Sequence, residues 1–96
     1  MNNTSPLTIN HIQAMKQQNE KIAMLTCYDA AFARTMDQAG VDIILVGDSL
    51  GMVVQGRNST VAVSVDDIAY HTRSVARGVE RAFLLADMPF GSYHDE

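Results

Sequence analysis

The fold is decided by the stretch Ile43-Ile44-Leu45-Val46-Gly47-Asp48-Ser49-Leu50-Gly51. Its first four residues form a short, β-branched-rich apolar run, which is typical of a strand buried on both faces of a parallel sheet. The glycine, carboxylate and hydroxyl that follow would lie at the carboxyl end of that strand, where α/β proteins place their ligand chemistry. We therefore predict a buried strand over residues 42–46 with a functional loop directly after it.

Two further apolar runs flank this stretch and predict two more buried strands. The first lies within Lys21–Tyr28 and contains Ile22-Ala23-Met24-Leu25-Thr26-Cys27. The second is Ala82-Phe83-Leu84-Leu85-Ala86. Both have the length and apolar content of strands rather than of helices.

Three segments outside these runs predict helices. A helix capped by Thr8 runs to about Gln18, and a second begins after Asp29 and ends at Gly40. In the second helix, Phe32, Ala33 and Met36 share the apolar face. A third helix begins after Ser64 and ends at Gly78, and the glycine-rich segment 47–63 before it is predicted to be a long loop.

The resulting order of helix and strand predicts an α/β fold with a parallel sheet, because parallel strands are joined by helical crossovers. A (β/α)8 TIM barrel uses roughly 30 residues for each βα unit, so residues 1–96 would hold about the first three units of one barrel domain, preceded by a helix. A short doubly wound sheet is the alternative that the sequence leaves open.

The composition excludes several functional classes. The 96 residues carry a net charge of −4, and the basic residues are scattered, which argues against nucleic-acid binding and a polybasic membrane anchor. No apolar run is long enough to span a membrane, and the first residues lack the basic start and apolar segment typical of a signal peptide, so we expect none. Cys27 is the single cysteine, so no internal disulfide can form. We expect a soluble, cytoplasmic protein.

Each predicted strand is followed by an acidic residue: Asp29, Asp48 or Asp87. Parallel strands place all three at one edge of the sheet, and neighbouring strands lie about 4.8 Å apart. Asp48 and Asp87 could therefore approach a shared cation. Because the sequence has no CxxC motif and no histidine pair at ligand spacing, Mg²⁺ is favoured over zinc.

Less specific interpretations exist for the same residues. Asp29 stands directly before a helix and is interpreted as its N-cap, so it is left out of the metal set. Ser49 and Asp87 could each be ordinary turn residues. Asp48 is harder to explain in this way, because Gly47 and Gly51 leave the backbone free to approach a ligand.

The roles of two ring side chains are also ambiguous. Tyr28 could reach a substrate or could pack with its hydroxyl in water. His71 lies within the third helix, where a surface or interface role is the simpler interpretation.

The motifs taken together resemble the ketopantoate hydroxymethyltransferase family. The resemblance covers nearly the whole chain and rests on motifs in the right order and spacing. They are Thr26-Cys27-Tyr28-Asp29, Leu45-Val46-Gly47-Asp48-Ser49-Leu50-Gly51-Met52, Val54-Gln55-Gly56 with Ser59-Thr60, Asp67-Ile68-Ala69-Tyr70-His71-Thr72, Gly78, and Leu84-Leu85-Ala86-Asp87-Met88-Pro89-Phe90.

The resemblance implies a (β/α)8 barrel of the phosphoenolpyruvate/pyruvate superfamily and a defined reaction. A hydroxymethyl group would pass from 5,10-methylenetetrahydrofolate to 3-methyl-2-oxobutanoate, giving 2-dehydropantoate in pantothenate biosynthesis. It also implies that Asp48 and Asp87 bind Mg²⁺ and contact the keto acid, and that Ser49 binds the keto acid. A cytoplasmic homo-oligomer, a decamer, is implied as well.

The resemblance further implies that the general base and most of the folate site lie beyond Glu96, so these 96 residues are expected to be an amino-terminal fragment without turnover of its own. Two other hypotheses remain open from the sequence. One is another Mg²⁺-dependent keto-acid aldolase or lyase of the same superfamily. The other is a non-catalytic α/β module that binds Mg²⁺.

Overall fold

Helices and parallel strands alternate along residues 5–89, which are the residues that this computed structural model describes. The elements in chain order are α1 (Ile9–Gln17), β1 (Met24–Thr26), α2 (Ala30–Gln38), β2 (Ile43–Val46), α3 (Leu50–Val53), α4 (Val65–Ala76) and β3 (Phe83–Ala86). The last residue of the final sequence motif, Phe90, lies outside the described residues, as do residues 1–4 and 91–96.

The three strands form one parallel sheet, as the sequence predicts, and their order in the sheet is β1-β2-β3. Thr26 pairs with Leu45, and Val46 pairs with Ala86. The hydrogen-bond ladder continues past the strands, because the amide of Asp87 donates to the carbonyl of Val46 at 3.0 Å. The carboxyl ends of the strands therefore meet at one edge of the sheet.

The three longer helices begin at the capping residues that the sequence predicts. Thr8, Asp29 and Ser64 are the N-caps of α1, α2 and α4. Ser64 forms a reciprocal capping box with Asp67: Oγ of Ser64 accepts from the amide of Asp67 at 3.1 Å, and Oδ2 of Asp67 accepts from the amide of Ser64 at 3.0 Å. These side chains satisfy amides that the first helical turn leaves without partners.

Helices α2 and α4 pack against each other, and α4 covers one face of the sheet. Ile44, Val46 and Val75 are fully buried between them. Gly78, just past the end of α4, permits the close approach of α2, because a methyl group at Gly78 would lie 2.4 Å from the carbonyl oxygen of Ala30. The core of the described residues is thus on the helix side of the sheet.

The prediction that the strands are buried on both faces is wrong for the described part of the chain. Side chains alternate along a strand, so Met24, Leu45 and Leu85 share the face opposite the helices. Met24 is 52% exposed and Leu85 is 39% exposed, because no described element covers that face. Strand β1 is also shorter than predicted, since only Met24–Thr26 pair with β2.

The predicted loop over residues 47–63 contains one turn of helix, α3. The amide of Val54 donates to the carbonyl of Leu50 at 2.9 Å, and Leu50 is fully buried. Burial of Leu50 in the core stabilises this turn of helix, and the sequence around it has no helical periodicity that would predict it. The chain after β2 is therefore more ordered than the sequence suggests.

One predicted core contact of α2 is also wrong. Ala33 is buried, but Phe32 is 66% exposed. Fewer side chains of α2 than expected face the core, because Ala33 is small and packs closely against the main chain at Gly78.

None of the helices within residues 5–89 combines the length and the apolar character that a transmembrane helix requires.

Candidate metal and substrate site

The two predicted metal ligands follow neighbouring strands at the carboxyl edge of the sheet. Asp48 lies in the turn between β2 and α3, and Asp87 follows β3 directly. The main chain of this turn is fixed, because the carbonyl of Asp48 accepts from the amide of Gly51 at 3.0 Å. Asp87 is fixed by the ladder bond of its amide to Val46.

The carboxylate of Asp87 points towards the turn that carries Asp48. A methyl group at Gly47 would lie 3.6 Å from Oδ2 of Asp87, so this carboxylate lies close to the residue directly before Asp48. Among residues 5–89, neither aspartate side chain forms a hydrogen bond or an ion pair with another described residue. The structure therefore places the Asp87 carboxylate beside the turn that carries Asp48, and neither side chain has a hydrogen-bond partner among residues 5–89.

This donor set fits Mg²⁺. Mg²⁺ prefers hard oxygen ligands and is commonly bound by one or two carboxylates, with water and substrate oxygens completing its octahedral shell. Within the described residues, no group of three or more histidine, cysteine, aspartate or glutamate side chains could hold a metal ion. A site built on Asp48 and Asp87 would therefore leave most of the coordination shell to substrate and water.

Asp29, the third acidic residue at this edge, is an N-cap, as the sequence predicts. Its Oδ2 accepts from the amide of Phe32 at 3.4 Å. Its carboxylate is committed to the start of α2, and the structure gives no reason to add it to the metal set.

Ser49, the predicted substrate-binding residue, precedes α3 in the N-cap position, but its hydroxyl makes no capping bond. The hydroxyl instead forms a hydrogen bond with the phenol of Tyr28. The two groups come from the ends of neighbouring strands, β1 and β2. The serine is thus oriented by a tyrosine and not by the local helix start.

His71 of α4 is part of the same cluster, although the sequence favours a surface or interface role. It is half-buried, and its Nδ1 lies 2.8 Å from the carbonyl oxygen of Tyr28. A carbonyl oxygen can only accept, so Nδ1 of His71 must be the donor. Nothing in the local sequence indicates these contacts, because the three residues are distant in the chain.

A cavity of about 510 Å³ lies beside this cluster. It is mostly apolar, and its lining comes from the end of β1 and from α2, α3 and α4. The lining residues are Thr26, Cys27, Tyr28, Asp29, Phe32, Met36, Val53, Val54 and His71. Burial raises the pKa of the Cys27 thiol above its ordinary value, so the thiol is held in its neutral form.

Two aspartates that the sequence analysis did not identify stabilise the opposite edge of the sheet, where the strands begin. Oδ2 of Asp42, which is buried, accepts from the amide of Ala23 at 2.9 Å, and its Oδ1 lies 3.4 Å from Nη2 of Arg81. The carboxylate of Asp37 accepts from the amides of residues 80–82. These bonds fix where each strand begins and hence where its carboxyl end lies.

The fold and the edge of the sheet together define an α/β protein with a helix-backed parallel sheet and a candidate cation site at the carboxyl ends of its strands. The family model for ketopantoate hydroxymethyltransferase matches residues 6–96, and the chain therefore belongs to that family. The resemblance that the sequence motifs indicate is thus confirmed.

Individual relatives agree with this assignment. The chain is 61% identical over 88 residues to a 3-methyl-2-oxobutanoate hydroxymethyltransferase of Thiobacillus denitrificans, covering 92% of this chain and 34% of the relative. It is 60% identical over 90 residues to the protein of the same name from Janthinobacterium sp., covering 94% and 33%. It is 61% identical over 94 residues to the protein of that name from Leptothrix cholodnii, covering 96% of this chain and 32% of the relative. The chain spans about a third of the length of these relatives.

Proposed function

We propose that this protein takes part in hydroxymethyl transfer from 5,10-methylenetetrahydrofolate to 3-methyl-2-oxobutanoate, which gives 2-dehydropantoate in pantothenate biosynthesis. The observation that carries the proposal is the position of the Asp87 carboxylate close to Gly47, the residue directly before Asp48, in a chain of this family. The names of the relatives supply the keto acid and the group transferred.

Asp48 and Asp87 would hold the Mg²⁺ ion. Neither side chain has a hydrogen-bond or ion-pair partner among residues 5–89, and carboxylate oxygens are donors that suit this cation. When bound, Mg²⁺ would polarise the 2-oxo group of the keto acid and so make its C3 proton more acidic, an effect worth several kcal/mol. Replacing either carboxylate therefore costs more than replacing a surface group.

Ser49 would bind the carboxylate of the keto acid. A carboxylate only accepts hydrogen bonds, whereas a serine hydroxyl can donate one and accept another. Ser49 follows Asp48 directly, so a keto acid whose oxo oxygen faces the two aspartates could place its carboxylate at this hydroxyl. We assign no general base within residues 5–89.

The rest of the molecule is proposed to complete a (β/α)8 barrel. The open face of the sheet, with Met24 and Leu85 exposed, is the kind of apolar surface that parallel sheets cover on both sides. Covering it would also exclude water from the edge that carries Asp48. We accordingly propose that turnover needs more polypeptide than these 96 residues, in a cytoplasmic homo-oligomer, a decamer by family resemblance.

The experiment uses the longest polypeptide that the reading frame encodes. Product formation is measured with 3-methyl-2-oxobutanoate and Mg²⁺, in the presence and absence of 5,10-methylenetetrahydrofolate. We expect folate-dependent formation of 2-dehydropantoate. A Mg²⁺-dependent reaction of the keto acid that proceeds equally without the folate would instead indicate an aldolase or lyase.

The metal site is tested in the same polypeptide by isothermal titration calorimetry. Asp48→Asn and Asp87→Asn are each expected to weaken Mg²⁺ binding by roughly tenfold or more. Asp66→Asn, which removes an exposed carboxylate from the first turn of α4, is the matched control and should bind as the wild type does. Unchanged Mg²⁺ affinity in both Asp48→Asn and Asp87→Asn would refute the proposed site.

A further inference from the structure

The hydroxyl of Ser49 needs an external support to be a directional hydrogen-bond donor. A serine hydroxyl at a helix start ordinarily accepts from an amide of the first turn, and this bond fixes its side-chain rotamer. Ser49 makes no such bond. The group that orients it is the phenol of Tyr28.

Two hydrogen bonds fix the backbone at Tyr28. The amide of the preceding residue, Cys27, donates to the carbonyl of Leu45 at 3.0 Å, which ties this segment to β2. The carbonyl of Tyr28 accepts from Nδ1–H of His71 at 2.8 Å, which ties it to α4. The phenol therefore extends from an anchored backbone, and its position relative to β2 is defined.

The polarity of the two hydroxyl groups follows from the ligand that Ser49 would bind. If Ser49 donates its proton to a carboxylate, its oxygen is left to accept, and Tyr28 must then donate to Ser49. Two such bonds in series polarise each other in the same direction and strengthen the outer one. A directed chain from Tyr28 through Ser49 to the ligand results.

We propose that Tyr28 is a positioning residue that orients the Ser49 hydroxyl as a donor to the carboxylate of the keto acid. This inference rests on the proposed function. Tyr28 does not contact the metal ligands in this account and acts only through Ser49. Its phenol should therefore influence binding of the keto acid and leave binding of Mg²⁺ unchanged.

The test is a double-mutant cycle in the longest polypeptide that the reading frame encodes. The variants are Tyr28→Phe, Ser49→Ala and the double substitution, and the measured quantities are KM for 3-methyl-2-oxobutanoate, kcat and the Mg²⁺ dissociation constant. Tyr70→Phe is the matched control, because it removes a phenol hydroxyl from an exposed tyrosine of α4.

We expect Tyr28→Phe to raise KM by roughly threefold to tenfold, the effect of one hydrogen bond, with kcat and Mg²⁺ affinity within about twofold of wild type. A higher KM with unchanged kcat indicates that the substrate and the transition state are bound more weakly by the same amount. General structural damage would also lower kcat. The double variant should be no worse than Ser49→Ala, because Tyr28 has nothing left to orient. Tyr70→Phe should resemble wild type.

The contrary outcomes separate this inference from the proposed function. If Ser49→Ala raises KM but Tyr28→Phe does not, or if the two effects add in the double variant, the positioning role is refuted and the proposed function stands. If the wild type neither binds nor converts the keto acid, both are refuted. Should Tyr28→Phe fail to fold, 3-fluorotyrosine at position 28 keeps the ring and makes a stronger donor, so KM should fall, and an unchanged KM would refute the positioning role.

Discussion

Oδ1 of Asp37 in α2 accepts a 2.7 Å hydrogen bond from the amide of Ala82, one residue before β3. The same carboxylate accepts from the amides of Glu80 and Arg81 at 3.0 and 3.1 Å. One side chain thus satisfies three consecutive amides of a segment that has no helix or strand to supply acceptors. It sets the point at which β3 begins.

Replacement of this carboxylate should therefore destabilise the protein. We expect Asp37→Ala to lower the free energy of unfolding by about 2 kcal/mol, because hydrogen bonds to a charged group are lost and part-buried amides are left unsatisfied. Urea unfolding measures the change. Glu20→Ala, at an exposed carboxylate, is the control, and equal stability of the two variants would contradict the role given to Asp37.

A second prediction concerns the contact between α2 and α4. Gly78→Ala would place a methyl group 2.4 Å from the carbonyl oxygen of Ala30 and 3.1 Å from Cβ of Ala33. The helices must separate to admit it, and overpacking of this kind costs about 1–3 kcal/mol. Thermal and urea unfolding both measure this cost.

Gly56→Ala is the control for Gly78, since nothing lies within 4 Å of the added methyl group and only the φ of 73° opposes it. That backbone strain costs about 1 kcal/mol. A Gly78→Ala variant more stable than Gly56→Ala would show that the helices separate without penalty.

The third prediction concerns the thiol of Cys27. The side chain is 3% exposed, its Sγ donates to the carbonyl of Asp29 at 3.3 Å, and burial raises its pKa. Since the thiolate is the reactive form, the native protein should react with a disulfide reagent such as DTNB at least roughly tenfold more slowly at about pH 8 than the protein unfolded in guanidinium. Equal rates in the two states would mean that this part of the cavity opens freely.

A fourth prediction follows from the capping box of α4. The amide of Ser64, the largest cause, and the side chain of Gln55 hold the pKa of Asp67 below its ordinary value of 3.8. A carboxyl whose pKa is lowered on folding contributes stability above its unfolded pKa, and this contribution disappears as the pH falls through the folded value. The wild type should therefore lose stability on acidification below about pH 4 more steeply than Asp67→Asn does.

Urea unfolding at several pH values between about 2 and 6 measures this difference. Asp66→Asn is the matched control, because it removes a carboxylate from the same helical turn but leaves the bond to the Ser64 amide in place. If Asp66→Asn and Asp67→Asn flatten the acid profile equally, the effect comes from charge near the helix start and not from the capping bond.

Local signals predicted most of the secondary structure. Helix starts are predicted at Thr8, Asp29 and Ser64, because the side-chain oxygen of an N-cap residue accepts a hydrogen bond from an amide of the first helical turn. The short apolar runs predict strands because they are too short for a helix and their side chains favour burial. Strand ends were less certain, since only pairing with β2 decides that β1 is limited to Met24–Thr26.

The sequence by itself determined the parallel pairing of the strands and the acidic edge with Asp48 and Asp87, because helical crossovers bring every strand end to one side. Tertiary structure alone decided the rest. The bond between Tyr28 and Ser49, the amides held by Asp37 and the turn of helix at Leu50 all join or bury residues distant in the chain. Such contacts depend on how α2, α4 and the strands pack, and no local pattern records that packing.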